Sequence, residues 1–233
     1  MSAHPERSKR YWLAAGSAGV SPLLVGVVPF GLVFGVTAAA SVVGGALGYL
    51  TSIIIFAGAA QFVTVELFDQ GAAVAVVIAT ALVVNSRHLM YSAALAPHFQ
   101  KFPKRSRYTL PYLLTDQAFA VSIARYPDLP DPTAKRFYYL GAGATLWVAW
   151  QISTAAGVLL GAQIPDSWSL GFAIPLVFLA LLMPTITTRP TLIAAVVGGA
   201  VAVAAFSVPY GLGLIIGALA GVAAGVVAER VMS

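Results

Sequence analysis

The stretch SPLLVGVVPFGLVFGVTAAA (21–40) contains no charged side chain. As a helix rising 1.5 Å per residue it reaches about 30 Å, the thickness of a bilayer's hydrocarbon. Runs of similar character recur near 46–68, 72–98, 108–126, 137–162, 168–184, 190–207 and 209–228. In hydrocarbon every backbone N–H and C=O must find its partner inside the protein, which restricts spanning segments to helices or closed barrels. Barrel strands would show alternating segments of about ten residues, and these runs do not alternate. Only 9% of the residues are charged, against about a quarter in a soluble domain. The expected fold is all-α: a polytopic transmembrane bundle of seven or eight hydrophobic segments, at least one of them broken or re-entrant.

The same composition excludes much chemistry. There is no cysteine, so no disulfide framework, thiolate nucleophile or thiolate-bound metal is available. Three histidines, one in the opening tail and one at a helix end, do not build a metal site. Neither H-E-x-x-H nor G-x-S-x-G occurs. Ser86 and His88 stand two apart on a helix and face different ways. No enzyme and no cofactor is expected. The net charge of +5 sits in short loops, where it bears on membrane orientation and not on nucleic acid. The basic start and the TAAA of 37–40 suggest a signal peptide, but the apolar run is too long for one and further spans follow. The chain therefore reads as a polar basic tail (1–20), its first ten or so residues disordered, and a single integral membrane domain (21–230).

Lys and Arg set orientation. Three lie in the tail, and QKFPKRSR (100–107) carries Lys101, Lys104, Arg105 and Arg107. Both should face the cytoplasm, with the acidic ELFDQG (66–71) outside. Three full crossings between the tail and the basic loop cannot satisfy this. One of the first three segments must then enter and leave by the same face, and 46–68 is the candidate, because FAGAAQF (56–62) reads as a helix break. VPFGLVFG (28–35) and VPYGLGLI (208–215) form a weak internal echo of the kind found in transporters built from repeats.

VVNSRHLMYS (83–92) sets Asn85, Ser86, Arg87 and His88 in an otherwise oily run. On a continuous helix Asn85, Arg87, His88, Tyr91 and Ser92 share an arc of roughly 160°. Arg87 lies about 16 Å from the segment's nearer end, too deep for easy snorkelling. LLTDQAF (113–119) places Asp116 in the next segment, about 12 Å from the intervening basic loop. A charge at the bilayer centre costs about 2.5–3.5 kcal/mol, so pairing Arg87 with Asp116 across a hairpin is the cheapest repair. The pair is either a structural lock or the two halves of a zwitterion site, with Asp116 and His88 as the groups that take and release protons. His88 has its own bland reading as a satisfied structural histidine.

In FAGAAQF, Gly58, Ala59 and Ala60 admit a close neighbour. Tight packing explains these small residues but leaves Gln61 in need of a partner within the protein. In LWVAWQIST (146–154), Trp147, Gln151 and Thr154 share a face, and Trp147 and Trp150 read as packing residues. In MPTITTRP (183–190), Arg189 reads as a headgroup contact.

Taken together, FAGAAQF, NSRHLMYSAALAPHF, LLTDQAFAVS and PYGLGLIIGALAG resemble, in order, the blocks of the AzlC family, the large subunits of branched-chain amino-acid exporters. The resemblance runs over residues 20–225. It implies an inner-membrane permease of bacteria, driven by protons and working with a small AzlD-type membrane subunit. The motif positions it carries over are Gly58, Gln61, Asn85, Arg87, His88, Tyr91, Pro97, Thr115, Asp116 and Phe119. Of these, all but His88 and Pro97 are expected to meet substrate, and His88 and Asp116 to couple protons. Gln117 departs from the family, which often has an acidic residue there, leaving Asp116 to act alone. Arg87, or a helix start near AGAAQ, would take the cargo's carboxylate. Asp116 and unpaired carbonyls would take its ammonium, and Phe56, Phe62 and Phe119 would line an aliphatic pocket. The rival readings are a non-transporting scaffold subunit and a small-solute channel.

Overall fold

A computed structural model describes residues 8–161, 186–208 and 212–232, and among them every regular element is helical. The first helix begins earlier than expected. Ser8 caps α1 (Lys9–Val20) by accepting from the Tyr11 amide, and a 3-10 turn at Ser21–Leu23 joins it to α2 (Leu24–Ala40). The pair makes one span of 32 residues. Residues 9–20 are therefore not tail. Behind Lys9 and Arg10 the sequence is apolar, and its small residues seat it against a neighbouring helix, burying Gly16 and Val20.

That neighbour is α9 (Pro132–Gly161). A methyl group on Gly16 would lie 2.0 Å from the Tyr138 carbonyl oxygen, and one on Gly141 2.0 Å from that of Leu13. Farther along, a methyl on Gly35 would meet the Thr154 oxygen at 2.2 Å, and one on Gly157 the Leu32 oxygen at 2.1 Å. Backbones this close are what small residues at membrane helix interfaces permit. Positions 13–16 meet 138–142 and positions 32–36 meet 154–161, so the two rods run in the same direction. Thr145 and Ser17 add an interhelical hydroxyl contact at 2.9 Å.

The segment expected at 46–68 is broken, as its sequence suggests. It forms α3 (Gly45–Ile54) and α4 (Gly58–Asp69), with Phe56 between them at φ +46°, a left-handed conformation unusual for a residue with a side chain. Its two ends meet: the Val42 amide donates to Oδ1 of Asp69 at 2.7 Å. The segment expected at 72–98 is broken too, and there the expectation of a continuous helix is corrected. α5 (Val74–Asn85) and α6 (Arg87–Phe99) are bent by 43° at Ser86. The single polar arc drawn through 83–92 therefore does not exist.

The run at 108–126 is not a span. It comprises the end of α7 (Lys104–Thr109), a 3-10 turn containing Pro111, and α8 (Asp116–Arg125). Among the described residues, three helices are long and apolar enough to cross a membrane, or four if the bent pair counts as one. Seven or eight membrane segments are not confirmed among the described residues, where several of the apolar runs are cut into helices of 10 to 13 residues. The expected segment 168–184 lies outside the described residues, as do parts of the internal echo and of MPTITTRP. The chain closes with α10 (Arg189–Ala204) packed on α11 (Leu212–Met232), where Gly198, Gly217 and Gly221 bring the two backbones together.

Phe34, Phe62, Phe102, Leu146, Tyr126 and Tyr139 form the centre of the core. Large apolar side chains such as Val25, Ile54, Leu89 and Val203 point outward, the arrangement a lipid solvent requires.

Candidate functional site

Three helices begin at one place. Ala57, Gly58 and Ala59 at the start of α4, Arg87 and His88 at the start of α6, and Thr115, Asp116 and Gln117 at the start of α8 all line a single cavity of about 740 Å³. Its other walls include Val27, Phe30, Phe56, Leu146 and Trp150. The volume falls in the range of small-molecule sites, roughly 300–1,000 Å³. Two of the three starts owe their position to the breaks at Phe56 and Ser86, and the third to the chain's reversal after Pro111.

Within the cavity Nη1 of Arg87 lies 2.7 Å from Oδ2 of Asp116, with the two side chains 37% and 36% exposed. The pairing expected from the cost of lone charges is thus present. It is also incomplete. Nε of Arg87 and Oδ1 of Asp116 are buried and have no hydrogen-bond partner among the described residues. The pair keeps a spare donor at one end and a spare acceptor at the other.

The electrostatic balance favours an anion. A helix start carries about +0.5 of a charge from its unpaired amides and a helix end about −0.5 from its carbonyls. α3 and α5 end at the same two breaks, so three starts and two ends leave roughly +0.5 while Arg87 and Asp116 cancel. Asp116, at the first position of α8, is well placed against that helix's field. Arg87, at the first position of α6, is in the opposite situation, and Asp116 offsets its cost. The starts of α4 and α6 lack a side-chain cap, whereas Thr115 caps α8 by accepting from Ala118.

His88 stays beside the break that exposes it. Its Nδ1 lies 3.2 Å from the Asn85 carbonyl oxygen, which the end of α5 leaves unpaired. A carbonyl only accepts, so Nδ1 is the donor in this contact. Tyr91 stands edge-on to His88 at 5.8 Å, stacks on Phe119 at 4.3 Å, and lies within electrostatic reach of both ions.

Of the residues expected at the site, Gly58, Arg87, His88, Thr115 and Asp116 line the cavity. Tyr91 and Phe119 form a stacked pair behind it. Asn85 sits at the end of α5 with its Oδ1 buried and unpartnered among the described residues. Gln61 is not positioned to bind cargo. It is fully buried, donates to Thr51 Oγ1 at 2.8 Å and Ser52 Oγ at 3.0 Å, and accepts from the Ala57 amide at 3.2 Å. It has the internal partners its burial demands, and they hold the two halves of the broken segment together. Phe56 lines the cavity as expected, while Phe62 stands one layer back, stacked on Phe30 at 4.8 Å.

Sequence reasoning missed Phe30, Leu146 and Trp150 as cavity walls. Phe30 and Phe34 hold the Trp150 ring at 5.7 and 5.9 Å. The available signal was a proline–aromatic pair, Pro29–Phe30, inside an otherwise uniform span. Of the face expected on α9, Gln151 donates to the Ser52 carbonyl at 2.9 Å and Thr154 is buried, while Trp147 donates to the Tyr112 hydroxyl at 2.8 Å.

The comparison with known proteins gives a consistent picture. An uncharacterized membrane protein of Archaeoglobus fulgidus is 35% identical over 205 residues, covering 86% of this chain and 88% of its own. The inner membrane protein YgaZ of Escherichia coli is 25% identical over 208 residues, covering 85% and 84%. An uncharacterized membrane protein of Helicobacter pylori is 26% identical over 165 residues, 69% of this chain and 70% of its own. No solved structure matches. Residues 22–164, from Pro22 at the cavity's edge to just past the end of α9 and including the whole cavity, match the family described as AzlC protein. The chain belongs to the AzlC family of membrane proteins.

Proposed function

We propose that this protein is a permease that moves branched-chain or related small zwitterionic amino acids out across the cytoplasmic membrane. The observation that carries the reading is the incomplete Arg87–Asp116 pair in a cavity shared by three helix starts. A zwitterion presents one carboxylate and one ammonium. The helix starts and Arg87 suit the first, and the carboxylate of Asp116, 36% exposed in the cavity, suits the second. Phe30, Phe56, Leu146 and Trp150 give an aliphatic side chain an apolar wall.

Coupling to protons follows from the same groups. A proton on Asp116 removes the counter-charge of the ammonium and weakens its hold on the cargo. His88, which lines the same cavity, is the second proton carrier. The working unit includes a small AzlD-type membrane subunit.

The test is export from vesicles loaded with labelled leucine and containing this chain with that subunit. Arg87→Leu and Asp116→Asn, each checked for normal insertion, are expected to abolish efflux down a proton gradient. Normal efflux by both variants would end the proposal. Flux that ignores the proton gradient and does not saturate would indicate a channel instead.

A further inference from the structure

The Trp150 indole has a donor with nothing to donate to. The residue is only 4% exposed, and its Nε1 has no hydrogen-bond partner among the described residues. A buried donor left unmade is costly, so an unfilled one calls for an explanation. Other buried polar atoms without partners, on Thr80, Ser122 and Thr154, belong to residues that do not line the cavity, whereas Trp150 does.

The ring is held in place. Phe34 stacks on it at 22° between planes, Phe30 leans on it, and a methyl on Gly31 would lie 3.3 Å from its Cε3. The opposite edge faces the start of α4. A methyl on Gly58 would lie 2.7 Å from Cη2 and 3.3 Å from Cζ2, and Cζ2 is the ring carbon that borders the nitrogen-bearing junction. Gly58 is required here because only a residue without a Cβ lets the indole approach this helix start. At that start the Ala57 amide is already taken by Gln61, and no side chain caps those that follow. Uncapped amides and the Cη2–Cζ2 edge of the indole thus share one wall of the cavity, with the unpartnered N–H two bonds from Cζ2.

We infer that the N–H of Trp150 is a substrate-binding donor, taking one carboxylate oxygen of the cargo beside the amides that open α4. An indole N–H can only donate, so this wall accepts the anionic end and turns away the ammonium. The cargo's orientation follows: carboxylate towards Trp150 and Gly58, ammonium towards Asp116. The inference rests on the amino-acid reading given above and adds to it a residue and a direction.

The experiment measures leucine binding to the purified complex in nanodiscs by titration calorimetry. Trp150→Phe should weaken binding roughly 10- to 100-fold, the size of a lost bond to a charged acceptor. Because removing an indole also loosens packing, a second variant carries benzothienylalanine at position 150, which keeps the ring's shape and lacks the N–H. It should show the same loss with an unchanged thermal midpoint. Wild-type affinity in that isostere would overturn the role of Trp150 while leaving the transport reading in place. Failure of the unaltered complex to bind any free amino acid would end both.

Discussion

The Val42 amide is bonded to the carboxylate of Asp69, so α3 and α4 start and finish at the same point. Helices of 10 and 12 residues reach about 15 and 18 Å, roughly half the hydrocarbon each. The expectation is that the segment dips in and returns. The absence of native cysteine makes this simple to check. V42C and D69C should react with an impermeant maleimide from one side of the membrane, and K104C from the other. Labelling of the first two from opposite sides would rule the dip out.

Gln61 joins the halves of that dip with three hydrogen bonds. Gln61→Leu strands the Ala57 amide and the hydroxyls of Thr51 and Ser52, at an expected cost of about 2–3 kcal/mol. The thermal midpoint in detergent should fall, while KM for transport by the folded fraction stays as it was. A changed KM with an unchanged midpoint would return Gln61 to the binding site.

Gly157 and Gly199 should behave in opposite ways. A Cβ at Gly157 meets the Leu32 carbonyl at 2.1 Å, and one at Gly199 meets nothing within 4 Å. Gly157→Ala forces α2 and α9 apart and should cost about 2 kcal/mol or more. Gly199→Ala, inside α10, should be neutral or stabilise by up to about 1 kcal/mol. Chemical unfolding of the two variants side by side measures both.

The Tyr112 hydroxyl donates to the Ile53 carbonyl and accepts from Nε1 of Trp147. It thereby satisfies a carbonyl that the end of α3 leaves open. Tyr112→Phe should cost about 1 kcal/mol and shift the emission of Trp147, read against a Trp147→Phe control.

How much of this was readable in advance depended on the kind of signal. Arg87 and Asp116 were legible as partners because a lone ion in hydrocarbon is so costly that the sequence must supply its counter-ion. The break at Phe56 was legible from glycine and glutamine in an apolar run. The break at Ser86 was not, because Asn and Ser fit a helix as well as its end. Hydropathy registers oil and not helix ends, so it missed residues 9–20 of the first rod and mistook the pieces around Pro111 for a crossing. Trp150 looked like packing because its ring does pack; the idle N–H could be seen only with its neighbours in place.

The shared direction of the first rod and α9 has a consequence for how the chain is threaded. Two spans that point the same way must enter from the same face of the bilayer, which puts Lys9 and Arg10 together with Lys135 and Arg136 on that face. The chain between Ala40 and Pro132 must then come back across an odd number of times. Counted as one broken span, the bent α5–α6 pair supplies one such return, and a dip that closes on itself adds none, so the described helices suffice for the count.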